Sequence, residues 1–461
     1  MNNPTRQAHL QNLSFILCGA LILMGAAFYN GYPLVYADTG TYLNSGFEMQ
    51  VPMDRPITYG IFIRIFSFNG MSLWSVIFFQ SLILSYLIFE CFRQFTPKEN
   101  AGKNMILATL LLSCFTGISW IASQIIGDVF TPICALAAAL IFFAPDLKRS
   151  QTIFILILFF VAVATHVSHL VILFVFSSLL FAKHYFQKKK KKPTYFQWKR
   201  AIFIPLFSVL AFFTMSSSIG KSGHIFMMSR LVETGIIDRY LDDNCGKKQL
   251  ELCRFKDSLP HDAATFMWKK GGPLEQMGGW KNTKAEFNGV ISDVFTTPKY
   301  FLPFGFSCLT GTLEQVLFFR TGEGLGAYPK GDKLYDSVKK YVPYELKEYE
   351  FSLQGRDYLP PLENFNFCAY VFMGIAIFLL VYMMFQKTVE TNTLRVKEIV
   401  LALVLFILVN NFTCTTFSTI SNRFGCRVMW LLPLFLIILY LNSGFKRKNS
   451  ASAESTKNLP Q

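Results

Sequence analysis

The chain has 461 residues, 52% of them hydrophobic and only 16% charged, with a formal net charge of +15. Soluble domains carry about 25% charged residues, so this composition excludes an ordinary soluble protein. The apolar stretches are long and unbroken rather than short and alternating, which excludes an outer-membrane barrel.

The apolar runs, in chain order, cover 13–30, 72–92, 104–120, 128–144, 152–166, 169–186, 201–216, 368–386, 396–413 and 426–442. Each approaches the ~20 residues that cross a bilayer as a helix. The expected fold is an all-α polytopic membrane protein with about ten transmembrane helices and a large, mixed or mostly helical outer segment. The n-region of the first run holds Arg6 alone and no small-x-small cleavage site follows cleanly, so it reads as a retained anchor. A further apolar stretch, 301–319, is broken by Pro303, Gly305 and Gly311 and reads as interfacial, packed on the bundle or re-entrant.

The positive charge does not mark a nucleic-acid partner. Segment 217–367 carries 19 Lys and Arg against 19 Asp and Glu. The excess sits in short connections: Arg93, Lys98 and Lys103; Lys148 and Arg149; Lys188 to Lys192; Lys387, Arg395 and Lys397; and Lys446 to Lys448. The positive-inside rule then puts both termini in the cytoplasm, as expected for a multi-pass protein of a bacterial inner membrane. It turns loops 31–71, 121–127, 167–168, 217–367 and 414–425 outward. The resulting domains are an N-terminal bundle over 1–216, an extracytoplasmic insertion over 217–367, C-terminal helices over 368–442, and a disordered cytoplasmic tail over 443–461.

Ionisable groups at membrane faces are costly and usually face a cavity or a partner. On the outward side the first loop carries Asp38 four residues before Tyr42, a spacing that shares one helical face. A desolvated carboxylate there has a raised pKa and acts as a general base; alternatively, Asp38 caps a short helix. Asp54-Arg55-Pro56, followed by Tyr59, reads as a second helix start with Pro in its first turn. Arg55 is placed either to neutralise Asp54 or to bind phosphate. Asp128 opens the fourth run and is suited to a metal, an acceptor or a helix cap. His166 and His169, at i, i+3, suit a polar cavity, interhelical hydrogen bonds or, with Asp128, a divalent metal; no other cofactor is indicated. Arg423 and Arg427 stand one turn apart before Trp430, as phosphate forks or as an interfacial anchor.

In the insertion, 225–241 has helical periodicity. Cys245 and Cys253 are a candidate disulfide of an oxidising compartment, and Cys414 with Cys426 a weaker one. Gly322 to Gly326 lacks the Lys and Ser/Thr of a phosphate loop. The insertion reads as a lid over the polar cavity or as bracing.

The loop Asp38-Thr-Gly-Thr-Tyr42 with Arg55-Pro56 and Tyr59, together with Asn422-Arg423 to Pro433, resembles the GT-C superfamily of membrane glycosyltransferases. The resemblance covers about 1–210 and 368–442. It departs from that family's paired acidic dipeptide, because Thr39 follows Asp38. It implies a polyprenyl-phosphate sugar donor and sugar transfer to a lipid, glycan or protein acceptor of the cell envelope. Asp38 or Asp54 would be catalytic, and Tyr42, Arg55, Tyr59, Asp128, His166, His169, Arg423 and Arg427 would bind substrate. The rival reading is a non-catalytic membrane protein of envelope polysaccharide assembly or export.

Overall fold

The computed structural model describes residues 4–442. The expected tail 443–461, with Lys446 to Lys448, lies outside the described residues. Among the described residues the chain is all-helical, with one isolated parallel bridge between Leu34 and Gln124.

The helices that matter for the site are α1 (Pro4–Leu23), α2 (Ala37–Glu48), α3 (Thr58–Phe66), α4 (Leu73–Phe95), α5 (Ala101–Phe115), α6 (Phe130–Phe143), α7 (Arg149–Ala164), α8 (Val167–Lys189), α9 (Phe203–Glu233), α10 (Pro298–Gln315), α11 (Lys333–Tyr341), α12 (Glu363–Phe385), α13 (Thr391–Phe417) and α14 (Asn422–Met429). Five helices are long and apolar enough to cross a membrane: α4, α8, α12, α13 and Asn422–Asn442, which α14 opens. Gln7–Leu23, Gly127–Phe143 and Arg149–Ala164 are apolar but shorter. These helices mark a membrane protein. The large side chains on the outside of α12, such as Phe367, Phe378 and Phe385, are exposed and apolar, the pattern of a helix with lipid on one side.

The polar contacts sort to the two ends of the bundle. α4 begins beside Glu345, whose carboxylate accepts from Leu73 N at 2.8 Å. It finishes where Asn442 Nδ2 donates to Phe95 O at 2.5 Å. The basic connections gather at this second end: Arg93 with Glu90 at 2.6 Å, Lys98 with Asp146 at 3.6 Å and Lys183 with Glu398 at 2.9 Å.

Three expected boundaries move. The seventh run does not stop at 216: α9 continues to Glu233, 31 residues or about 47 Å. The break comes at Gly235, whose φ of +68° only glycine adopts without strain, and Ile236–Asn244 follows as a separate helix. The periodicity over 225–241 is therefore real but spans two helices. The third run divides into α5 and Ile118–Ala122. The stretch 301–319, expected to be broken, is helical as α10 through Pro303, Gly305 and Gly311. One face of α10 packs on α13, with Thr312 Oγ1 3.5 Å from Thr415 Oγ1. Its other face exposes Leu302, Phe306, Leu309 and Leu313.

The expected insertion has two parts. Residues from Ile225 to Cys308 build their own apolar cluster around Leu231, Ile237, Phe266 and Phe287. Cys245 and Cys253 are joined by a disulfide there, with Cα atoms 5.7 Å apart. Cys414 and Cys426, the weaker candidate pair, are both free and buried. Cys414 instead lies 3.2 Å from Arg427 Nη2 and Cys426 lies 3.6 Å from Thr321 Oγ1. Closing so short a loop removes about 2–3 kcal/mol of unfolded-state entropy. We expect Cys253→Ser to open this unit locally, seen as faster proteolysis within 236–300 while the melting of the apolar bundle is unchanged.

The second part, 319–362, is a strap over the first loop. α11 lies on α2, where an added Cβ at Gly40 would stand 3.1 Å from Leu334 Cα. Gln354 pairs with both backbone groups of Val35, at 3.0 and 2.8 Å. Glu345 also accepts from Tyr32 Oη at 3.0 Å.

Candidate functional site

Two loop segments are stitched together before any charge meets another. Leu34 N donates to Ser123 O at 2.9 Å and Ile125 N to Leu34 O at 2.8 Å. Thr39 Oγ1 accepts from Tyr36 N at 2.9 Å and donates to Ile125 O at 2.8 Å. Thr39 thus does the capping at the start of α2, and Asp38 is not the cap. Its carboxylate stays available in the first turn, beside the turn Gly127–Val129 that holds Asp128.

Three aspartates and three arginines then alternate in one line. Arg55 bonds Asp54 through Nε at 3.0 Å and Nη2 at 2.5 Å. Its Nη1 reaches Asp38 at 2.9 Å. Arg423 Nη1 approaches the same Asp38 oxygen at 3.2 Å, and its Nε lies 3.3 Å from Asp128. Arg427 Nη1 closes on the other oxygen of Asp128 at 2.5 Å. Arg427 Nη2 donates to Asn410 Oδ1 at 2.9 Å. Three negative and three positive side chains make the line neutral, the condition under which buried charge is tolerated.

Access peaks in the middle of the line, with Asp54 and Arg55 keeping 11% and 15% of their side-chain surface on one side. The side chains of Asp38 and Arg423 keep 24% and 19% of their surface, against 4% for Asp128 and none for Arg427. A ligand can therefore reach the Asp38–Arg423 segment, while Asp128 and Arg427 hold that segment from below. Arg423 Nε meets Asp128 as an ion contact without a hydrogen bond of its own. Arg423 also stacks over Tyr36, its guanidinium carbon 4.7 Å from the ring centre.

The charge on Asp38 runs against expectation. Burial pushes its carboxyl up, but Arg55 and Arg423 outweigh it, and its pKa lies below the ordinary carboxylate range. The raised value anticipated for a desolvated acid fails because two guanidiniums flank it.

The remaining expected residues divide. Tyr42, on the same helix as Asp38, is buried under Arg55, 5.1 Å from the guanidinium carbon. Tyr59 packs edge-on to Tyr42 with ring centres 4.8 Å apart and donates to Gln80 Oε1 at 3.0 Å. Both are walls beneath the line. Pro56 precedes α3 by two residues and does not open its first turn. His166 receives Ser168 N at 3.2 Å on Nδ1 and caps α8. His169 has Nδ1 2.8 Å from Ala162 O and Nε2 2.8 Å from Thr131 Oγ1. The carbonyl fixes Nδ1 as the protonated nitrogen, so the second bond is donated by Thr131. Both ring nitrogens of His169 are thus engaged between helices. Among the described residues no three His, Cys, Asp or Glu side chains are grouped to hold a metal ion.

Sequence reading missed the roof and one support. Arg320, Thr321, Gly322 and Glu323 line a cleft with Gln124, Asp128 and Arg423, about 320 Å³ counted out to its open side. Glu323 accepts from Ser421 Oγ at 2.6 Å and from Arg423 N at 3.3 Å. Gln315 grips Ser421 on both sides, accepting from its N at 2.9 Å and donating to its O at 2.8 Å. Gly324, with φ +72°, admits Tyr36: an added Cβ would stand 1.8 Å from that ring. Asn410 supports Arg427 from within α13. The signal for it was Asn410-Asn411, an amide pair inside a membrane-length apolar run.

No protein-family model, no curated protein and no solved structure matches this chain.

Proposed function

We propose that the chain is a membrane glycosyltransferase of the GT-C kind, moving a sugar from a polyprenyl-phosphate donor to a lipid, glycan or protein acceptor of the cell envelope. The observation that carries this reading is Asp38, 2.9 Å from Arg55 and 3.2 Å from Arg423 at the most accessible point of a largely buried line of charge. A base beside phosphate-binding forks, at the end of apolar helices, is what transfer from a lipid phosphate requires.

In this reading the donor phosphate lies at Arg423 and Arg55, with Arg427 and Asp128 fixing Arg423 from below. Phosphate binding draws the guanidiniums from Asp38 and restores its basicity. Asp38 takes the proton of the acceptor hydroxyl, whose oxygen attacks the anomeric carbon from the face opposite the phosphate. The anomeric carbon–oxygen bond breaks, and its electron pair leaves with the polyprenyl phosphate. Charge gathering on that phosphate is stabilised by preorganised guanidiniums. Asp38 is favoured over Asp54 as the base, since Asp54 is the less exposed and is forked by its neighbour Arg55.

The same reading puts ten spans in a bacterial inner membrane, with both termini cytoplasmic and the site on the outer face. The gathering of basic connections at the end opposite Asp38 supports it. A second reading, a non-catalytic protein of polysaccharide assembly or export, is favoured by the closed pairing of all six charges and predicts no dependence on Asp38. The test is transfer of labelled sugar from a polyprenyl-phosphate donor by purified protein. Wild type transfers, and Asp38→Asn and Arg423→Gln lose transfer while still folded; near-wild-type turnover in both variants would sink the assignment.

A further inference from the structure

The face of α10 turned away from α13 is apolar and open. Leu302, Phe306, Leu309 and Leu313 keep 65%, 68%, 60% and 69% of their surface. Their spacing sets them in one stripe along the helix. Residues 300–313 carry no charge; Lys299 and Glu314 bound them. Single exposed apolar side chains need no explanation, but a contiguous stripe does.

The position of α10 says what covers that stripe. α13 is of membrane length, and Leu401, Val404, Leu408 and Phe412 expose an apolar row along it. Such a row on a spanning helix faces lipid. Thr415 follows Leu408 by seven residues, about two turns, and so lies on the same face. Yet Thr415 is fully buried. α10 covers it: Thr312 Oγ1 lies 3.5 Å from Thr415 Oγ1, and an added Cβ at Gly311 would stand 3.5 Å from Thr415 Cβ. α10 therefore lies on the lipid-facing row of α13, and its own stripe continues that row. The uncharged stretch spans about 21 Å, short of the ~30 Å hydrocarbon core, so the helix sits at the boundary rather than crossing. Pro303 leaves the carbonyl of Lys299 without its helical donor. That carbonyl is at the charged start of the helix, where Lys299 Nζ pairs with Asp243 at 2.5 Å.

We propose that α10 is seated in the membrane, with Leu302, Phe306, Leu309 and Leu313 among lipid acyl chains at the end of the bundle that carries Asp38. The seat is independent of what the site transfers. It bears on the site because α10 ends at Gln315, which holds the N and O of Ser421 at 2.9 and 2.8 Å, two residues before Arg423.

The experiment puts a diazirine-bearing phenylalanine in place of Phe306 in the full chain, in phosphatidylcholine nanodiscs, and identifies the photoadducts by mass. The same replacement at Phe378, on the exposed apolar side of α12, is the lipid-facing reference. Phospholipid adducts at 306 should form within about twofold of the yield at 378. Adducts mainly with water, or between two copies of the chain, overturn the proposal. Phe306→Asp with Leu309→Asp sets two charges on the stripe and should lower the melting point in nanodiscs by about 5 °C or more. Phe306→Leu with Leu309→Met should leave it unchanged. A double-aspartate variant that melts with wild type would show that the stripe does not enter lipid.

Discussion

Arg427→Ala should destabilise the folded protein more than any other single change at the site, by about 3–5 kcal/mol. Arg427 is fully buried, and its guanidinium is bonded to Asp128 at 2.5 Å, to Asn410 at 2.9 Å and to Cys414 at 3.2 Å. Removing it leaves Asp128 with the more exposed Arg423 as its remaining ion partner and leaves Asn410 Oδ1 without its donor. The cost lies in the stranded groups rather than in the attraction itself. Replacing both partners by apolar residues of similar size, Asp128→Leu with Arg427→Met, should therefore recover much of the loss. Asp54→Asn should cost little, because its partner Arg55 still has Asp38. Thermal unfolding of purified variants in detergent reads the order directly. An Arg427→Ala protein that melts with wild type would mean that the buried pair does not hold the helices together.

How far the sequence already held this picture differs from residue to residue. Hydropathy marks a helix wherever lipid must be faced, so α4, α8, α12 and α13 stand close to the runs that announce them. Lipid forbids unsatisfied backbone groups and leaves a long apolar run little alternative. The placement of Arg423 and Arg427 one turn apart was legible for the same reason of local periodicity. The contact that makes the site was not, since Asp38 and Arg423 are 385 residues apart. Nothing local to either specifies the other. Likewise Gln315 and Glu323 are polar residues in a segment read mainly for its glycines. Their part, holding Ser421 and so the start of α14, exists only once the strap has folded back. The error about Asp38 has the same root: burial is partly visible in sequence, but two converging guanidiniums are not.

Asp38 gives the second large effect, on rate rather than stability. Asp38→Asn should lower sugar transfer by about 10²–10⁴-fold, the range expected for loss of a general base. Asp54→Asn should retain most of it. The pH profile distinguishes a base from a residue that merely braces the loop. The free protein holds Asp38 below the ordinary carboxylate range, with Arg55 the larger of the two lowering influences. Its ionised form, and the stability that form contributes, are complete above the ordinary carboxylate pKa and are lost only as pH falls through the lower folded value. The acid limb of kcat/KM in wild type should accordingly lie below about pH 3.9. Arg55→Gln removes that influence while burial remains, so the limb should move upward by about 1–3 pH units. A limb that stays in place in Arg55→Gln would show that Asp38 is not the titrating base. If Asp54→Asn rather than Asp38→Asn abolished transfer, the base would be Asp54, and Arg55 would have to release it before the acceptor could be deprotonated.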